Sequence, residues 1–232
     1  MDDPRRVRRS EKVSHPVFAR LYNVFNAAAE RSGAADHRSE LLAGLSGRVV
    51  EVGAGTGSNF VHYPSGVELV VAIEPEPWMR ARCNEAADRA PVPVEVRDGI
   101  DADLPVPDGW ADAVVASLML CSVHDVDVAL AEMQRVVRPG GELRFYEHVR
   151  SADPRAARWQ ERVDVVWPKL AGGCHTSRDV LSAVERTGWT AIEHRDFTFS
   201  PGRAPNPVAP HTIGRAVKPA TEVTTASSGG DG

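Results

Sequence analysis

Residues 49–60 read VVEVGAGTGSNF: an apolar run broken by one carboxylate, three glycines at every second position, then a polar exit. A β-branched run of this kind reads as a buried strand, and the glycines as the turn that follows it. Glycine turns after strands bind nucleotides in several unrelated chemistries, so the flanking sequence has to decide among them.

Outward from that stretch, apolar β-branched runs alternate with helical patterns, the signature of βαβ units. Strands are predicted at 47–52 (GRVVEV), 68–73 (ELVVAI), 93–97 (PVEVR), 112–117 (DAVVAS) and 141–148 (GELRFYEH). Helices are predicted at 76–89 and 126–137, the second stopped by RPGG. Two helices, 16–31 and 36–44, precede the first strand; two more, 155–169 and 177–187, follow the fifth. The stretches 189–197 and 211–218 read as two final strands joined by a proline-rich segment with no helix. A pair so joined forms a hairpin, which makes one of them antiparallel to an otherwise parallel sheet. The expected fold is therefore α/β: a doubly wound, mostly parallel seven-stranded sheet with a C-terminal antiparallel hairpin. Residues 1–14 read as a mobile arm, 15–218 as one domain with a helical cap over 15–45, and 219–232 as a disordered tail.

At 232 residues the chain can bury a full core, and its net charge of -5 gives no broad basic footprint for nucleic acid. The one basic cluster, RRVRR at 5–9, lies in the arm. No run approaches the ~18 apolar residues of a membrane span, and no signal peptide is read at the start, so no stable membrane anchor is expected. Cys83, Cys121 and Cys174 are odd in number, widely spaced and without a CxxC pair. That spacing argues against a disulfide framework or a structural zinc site, and no metal is expected. These features predict a reduced, cytoplasmic protein. The scarcity of lysine (Lys12, Lys169 and Lys218 only) points to a GC-rich bacterial source.

The glycine turn lacks the GK[ST] ending of a phosphate loop. It also misses the GxGxxG dinucleotide pattern, because its third glycine, Gly57, comes one residue early. Glu51, inside the end of the first strand, would repel a pyrophosphate and suits a ligand with a positive end. Glu74, just past the second strand, stands where a carboxylate accepts both hydroxyls of a ribose. A ribose, an ammonium and no phosphate together describe S-adenosylmethionine.

EVGAGTG at 51–57 matches E/D-x-G-x-G-x-G, and the chain resembles the class I S-adenosylmethionine-dependent methyltransferases, whose Rossmann-like sheet also ends in an antiparallel hairpin. The resemblance implies that Glu51 orients the amino end of the cofactor. Gly53, Ala54 and Gly55 let the main chain approach its methionine part, and Asn59 closes that pocket. Glu74 holds the ribose, with Pro75 and Glu76 at the adenine edge. Relatives carry an aspartate in a GDAxxLPF segment. Here GIDADLPVPDG places Gly99 and Ile100 there, with Asp101 one place later and Asp98 as the alternative. Ser117 and Leu118 follow strand four, where relatives touch the methionine end. The [DN]-P-P-[YFW] of amino-methylating DNA enzymes is absent from ASLMLCS at 116–122, which opposes a nucleic-acid substrate.

NFVHYP (59–64), VVASLMLCSV (114–123), VVRPGGELRFYEHV (136–149), GGCHTSRDV (172–180) and PVAPHTIGRAVK (207–218) resemble the small methyltransferase-like thiol S-methyltransferases over roughly residues 15–218. The animal members carry an apolar N-terminal anchor, in whose place the RRVRR arm is expected here. The resemblance implies methyl transfer to the thiol of a small molecule by a monomer or weak homodimer. The candidates for taking the thiol proton are His148, His175 and His211, in that order. Phe18, Tyr22, His124, Trp159 and Trp167, with Phe197, would line the acceptor pocket. Cys121 and Cys174 read as small packing residues. The alternatives are a small-molecule O-, N- or C-methyltransferase acting on a quinone or lipid head group, a cofactor-binding protein without turnover, and a nicotinamide-dependent oxidoreductase.

Overall fold

The computed structural model describes residues 29–200 and 205–220. Phe18, Tyr22, the RRVRR arm, all but the last three residues of the first expected helix and most of the terminal tail lie outside the described residues.

Seven strands form one sheet in the order β3-β2-β1-β4-β5-β7-β6. They are β1 (Gly47–Val52), β2 (Val67–Ile73), β3 (Val94–Arg97), β4 (Ala111–Ser117), β5 (Val137–His148), β6 (Thr190–Thr198) and β7 (Pro210–Val217). β1 pairs in parallel with β2 and β4, and β4 with β5. β7 runs antiparallel between β5 and β6, the hairpin expected from the helix-free connection. The strand order reverses between β1 and β4, so the crevice beyond their carboxyl ends is the natural ligand position of such a sheet.

Side-chain alternation feeds two cores. Val50, Val52, Val71 and Val114 face one side with Leu130 and Met133 of one helix and Val180 and Val184 of another. Val49, Val70 and Val115 face the other side with Leu41, Leu42 and Cys83. Central strands buried on both faces explain why their sequences are near-continuous apolar runs. The covering helices are α1 (Ala35–Leu42), α2 (Pro77–Ala87), α3 (Val126–Val136), α4 (Pro154–Val163), α5 (Trp167–Leu170) and α6 (Val180–Arg186). Acidic side chains cap four of them: Glu76 accepts from Met79 N–H, Asp125 from Asp127 and Val128, Asp153 from Arg155 and Ala156, and Asp179 from Ser182. Pro77 and Pro154 then occupy first-turn positions, where no N–H is needed.

Three expected boundaries move. The helix expected from residue 177 starts at Val180. β5 starts at Val137, four residues early, because Ala111 pairs with Val137 across a register shift at the RPGG turn. The single helix expected at 155–169 is broken into α4 and α5. Asp164, at the break, turns its carboxylate to the 176–177 segment: Thr176 N–H donates at 2.6 Å, Thr176 Oγ1–H at 2.8 Å and Ser177 N–H at 3.0 Å. Pro168 then sits in the first turn of α5, where its missing N–H is not needed.

Candidate active site

The glycine turn closes the carboxyl end of β1. Gly53, Gly55 and Gly57 all have positive φ, at 71°, 59° and 79°. A Cβ on Gly57 would lie 2.7 Å from both Ala86 Cβ of α2 and Phe60 Cε2, whereas one on Gly55 would meet nothing within 4 Å. Gly57 therefore permits helix packing, and Gly55 faces the open space that a ligand needs.

That space is lined by Arg38, Glu51, Gly53, Ala54, Gly55, Thr56, Ser58, Asn59 and Ser117. Glu51 lies buried at its floor, accepting from Asn59 Nδ2 at 2.9 Å and Tyr63 OH at 2.7 Å. Burial pushes its pKa up from the ordinary 4.5 to about 7, against the pull of those donors. Arg38, only 4% exposed, donates to Asn59 Oδ1 at 2.8 Å, to Ser117 Oγ at 3.2 Å and to Glu30 at 2.7 Å. One cavity thus holds a guanidinium and a carboxylate linked through Asn59, which suits the zwitterionic amino-acid end of a ligand. Arg38 was missed in the sequence, yet a signal was there. It precedes Leu41 and Leu42 by three and four residues, on the buried stripe of α1.

Glu74 follows β2 and accepts Gly55 N–H at 2.8 Å and Glu76 N–H at 2.9 Å. It therefore ties the glycine turn to the neighbouring strand end and keeps free lone pairs for further donors. Burial raises its pKa to about 7. Arg80 donates to the carbonyls of Glu74 and Pro75 and pairs with Asp98 at 3.1 Å, so Asp98 is held at this rim. Beyond β3, Gly99 packs tightly, since a Cβ there would lie 2.7 Å from Pro105, and Ile100 bridges to Asp103. Asp101 is half-buried in the same turn.

After β4 the backbone turns sharply. Leu118 has φ 56° and donates its N–H to Tyr146 O at 2.7 Å. The fully buried Glu147 of β5 then accepts from Met119, Leu120 and Cys121 N–H at 3.0, 2.9 and 3.2 Å. Its task is to hold this turn, and burial raises its pKa to about 7 against the three donors.

The turn brings Cys121 to His148 at the end of β5 and to Cys174 from the GGCHTSR segment. Cys121 Sγ and Cys174 Sγ lie 3.6 and 3.5 Å from His148 Nδ1 and 3.7 Å from each other. His211 pairs with His148 across the β5–β7 ladder, their rings 4.7 Å apart, and stacks with Tyr146 and Phe197 at 5.4 and 5.5 Å. Its Nδ1–H donates to Ala209 O at 2.8 Å, and burial lowers its pKa to about 3. His175 reaches the cluster only through its backbone, donating N–H to Cys121 O at 2.8 Å; its ring is 43% exposed and 4.0 Å from Asp164. His124 is exposed before α3, Trp159 is 39% exposed on α4, and Trp167 is half-buried at the start of α5. Phe197 joins the aromatic wall with Tyr146, His211 and His37.

Residues 50–145 match the family model described as a methyltransferase domain. The chain is 36% identical over 186 residues to thiol S-methyltransferase TMT1B of Homo sapiens, covering 76% of this chain and 74% of that one. The chain belongs to the S-adenosylmethionine-dependent methyltransferases. This methyltransferase is also 34% identical over 211 residues to thiol S-methyltransferase TMT1A of Homo sapiens, with 87% and 83% covered. Its fold matches a methyltransferase from Thermotoga maritima described as a possible histamine N-methyltransferase: TM-score 0.66, 19% identity, 87% and 98% covered. S-adenosylmethionine is the cofactor, and the Arg38–Asn59–Glu51 cavity, the open face of Gly55 and the Glu74 carboxylate fit its amino-acid end and ribose. Among the described residues no helix of the methyltransferase is long and apolar enough to cross a membrane.

Proposed function

We propose that this methyltransferase transfers a methyl group to the sulfur of a small-molecule thiol, giving a methyl thioether and S-adenosylhomocysteine. The observation that carries this reading is the 36% identity, across three quarters of both chains, to a protein named as a thiol S-methyltransferase. The proposal includes a cytoplasmic, bacterial setting, a monomer or weak homodimer, and no nucleic-acid partner.

When bound, S-adenosylmethionine supplies an electrophilic methyl carbon on a sulfonium. A thiol of pKa ~8.5 is already partly ionised near neutral pH and is intrinsically nucleophilic. The chain's main duty is then alignment, which can supply several kcal/mol (~7–11 at best) of the barrier. Glu51, Arg38 and Glu74 would fix the cofactor, and the wall of Tyr146, Phe197 and His211 would present an apolar acceptor. His148 is the histidine best placed to meet the acceptor's sulfur. His211 is a poor proton acceptor, since its conjugate acid forms only near pH 3. His175 points its ring elsewhere.

The test is incubation of purified protein with S-adenosylmethionine and a panel of thiols, phenols and amines, followed by mass spectrometry. S-methyl products are expected. Methylation of a phenol or amine with thiols untouched would move the acceptor class while leaving the methyltransferase standing. Binding of S-adenosylhomocysteine with no product from any acceptor would remove the enzyme reading.

A further inference from the structure

The Cys121, Cys174 and His148 side chains have a geometry that packing alone does not call for. A tetrahedral zinc ion with Zn–S near 2.3 Å and Zn–N near 2.0–2.1 Å sets its ligand atoms apart by about 3.8 Å (S to S) and about 3.6 Å (S to N). The three separations here are 3.7, 3.6 and 3.5 Å. Each donor comes from a different part of the chain, and the two cysteines are held in place from behind. Cys121 N–H donates to Glu147 and its carbonyl accepts from His175 N–H. Arg178 Nη1 donates to the carbonyls of Leu120 and Val123 at 2.7 and 2.6 Å, closing the same turn. Gly173 lets the second cysteine approach, since a Cβ there would lie 2.8 Å from Ser122 O.

We propose that Cys121, Cys174 and His148 form a mononuclear divalent-cation site, zinc by the softness of its donors, whose fourth position takes the sulfur of the acceptor. Two thiolates and an imidazole are a borderline-soft set that favours zinc over magnesium or calcium. Among the described residues no further His, Cys, Asp or Glu joins the cluster. Three protein ligands with an open position is the pattern of reactive rather than structural zinc. The cysteines are fully buried and 7% exposed, while His148 is only half-buried and opens the site toward the aromatic wall. Cys121 lies four residues beyond Ser117, which lines the cavity of the glycine turn, so the site stands on the same carboxyl edge of the sheet.

The role of the fourth position rests on the thiol reading above. On coordination the acceptor thiol gives its proton to water. Its sulfur lone pair then forms the bond to the methyl carbon as that carbon's bond to the sulfonium sulfur breaks, leaving two neutral thioethers. A thioether is a much weaker ligand than a thiolate, which frees the site for the next acceptor. A dicationic metal with two thiolates and a neutral imidazole carries no net charge. The bound acceptor makes it an anion, complementary to the sulfonium.

The experiment uses the full chain, purified without chelator and loaded with zinc or cobalt(II). We expect about one metal per chain by elemental analysis, and a thiolate-to-cobalt charge-transfer band in the near ultraviolet. Cys121→Ser, Cys174→Ser and His148→Ala should each weaken metal binding at least about tenfold in a chelator competition. Binding of S-adenosylhomocysteine reports that each variant is folded, and X-ray absorption of the zinc-loaded wild type needs no variant at all. Absence of bound metal, a metal shell without sulfur, or a Cys121–Cys174 disulfide in the unreduced protein would each overturn the site. Addition of a small thiol should intensify the cobalt band. An unchanged band overturns the open position, whereas failure of the thiol panel to give product with that band responding overturns the transfer reading and leaves the metal site intact.

Discussion

Gly55 and Gly57 stand two residues apart in one turn and answer to different neighbours. Gly55→Ala meets no atom of the chain, so its cost in stability is that of left-handed backbone, about 1–2 kcal/mol. Its methyl group enters the ligand's space, and S-adenosylhomocysteine affinity should fall at least about tenfold, or ~1.4 kcal/mol, by calorimetry. Gly57→Ala adds overlap with Ala86 and Phe60 to the same backbone cost and should lose about 2–5 kcal/mol in urea unfolding. Equal ligand affinity in Gly55→Ala and wild type would break the assignment of this cavity. The spacing of these glycines was legible in the sequence because backbone chemistry there is local. Arg38 belongs to the same cavity but reaches it from another helix, and a reading that sorts arginines to the surface passes over it. The Cys121–His148–Cys174 cluster was illegible for a stronger reason: its donors are 27 and 26 residues apart in sequence, and only the carboxyl edge of the sheet gathers them.

At the level of elements, the strands could be located closely because central strands in a parallel sheet are apolar on both faces, and the hairpin followed from a missing helix. What failed was the stretch 151–176, where side chains rather than propensity set the path. Gln160 of α4 shows why. It is 1% exposed; its Nε2 donates to the carbonyls of Thr176, Pro207 and Val149 at 2.8, 2.9 and 3.2 Å, and its Oε1 accepts Ser151 N–H at 2.8 Å. One amide thereby joins the insertion to the approach to β7 and to the end of β5. Gln160→Leu keeps the volume but strands those backbone groups, at about 1–3 kcal/mol for each left unpaired. We expect a fall of about 2–5 kcal/mol in stability, read by urea unfolding. Because this segment carries Cys174, metal uptake should weaken with it. A variant as stable as wild type would mean that water replaces the amide.

For the molecule as a whole, buried carboxylates couple the cofactor cavity to pH. Glu51 and Glu74 both have an ordinary value of 4.5 and rise to about 7 in the folded chain, chiefly through burial. The folded state therefore holds protons that the unfolded state has released. Their contribution to stability is fully present below about pH 4.5 and is lost as pH rises through about 7. The cofactor's ammonium and ribose hydroxyls favour the charged carboxylates, so ligand binding should strengthen across that same window. A ligand at about a hundred times its Kd adds ~2.7 kcal/mol, which for a domain of this size raises Tm by about 5–11 °C. In thermal-shift measurements from about pH 5.5 to pH 8, the Tm of the free protein should fall while the increment from S-adenosylhomocysteine grows. NADH should give no increment, since Glu51 repels a pyrophosphate. Glu51→Gln, which cannot ionise, should flatten the pH dependence of the increment and give a stability profile less steep than that of the wild type. An increment that is independent of pH in the wild type would show that neither carboxylate changes charge when the ligand binds.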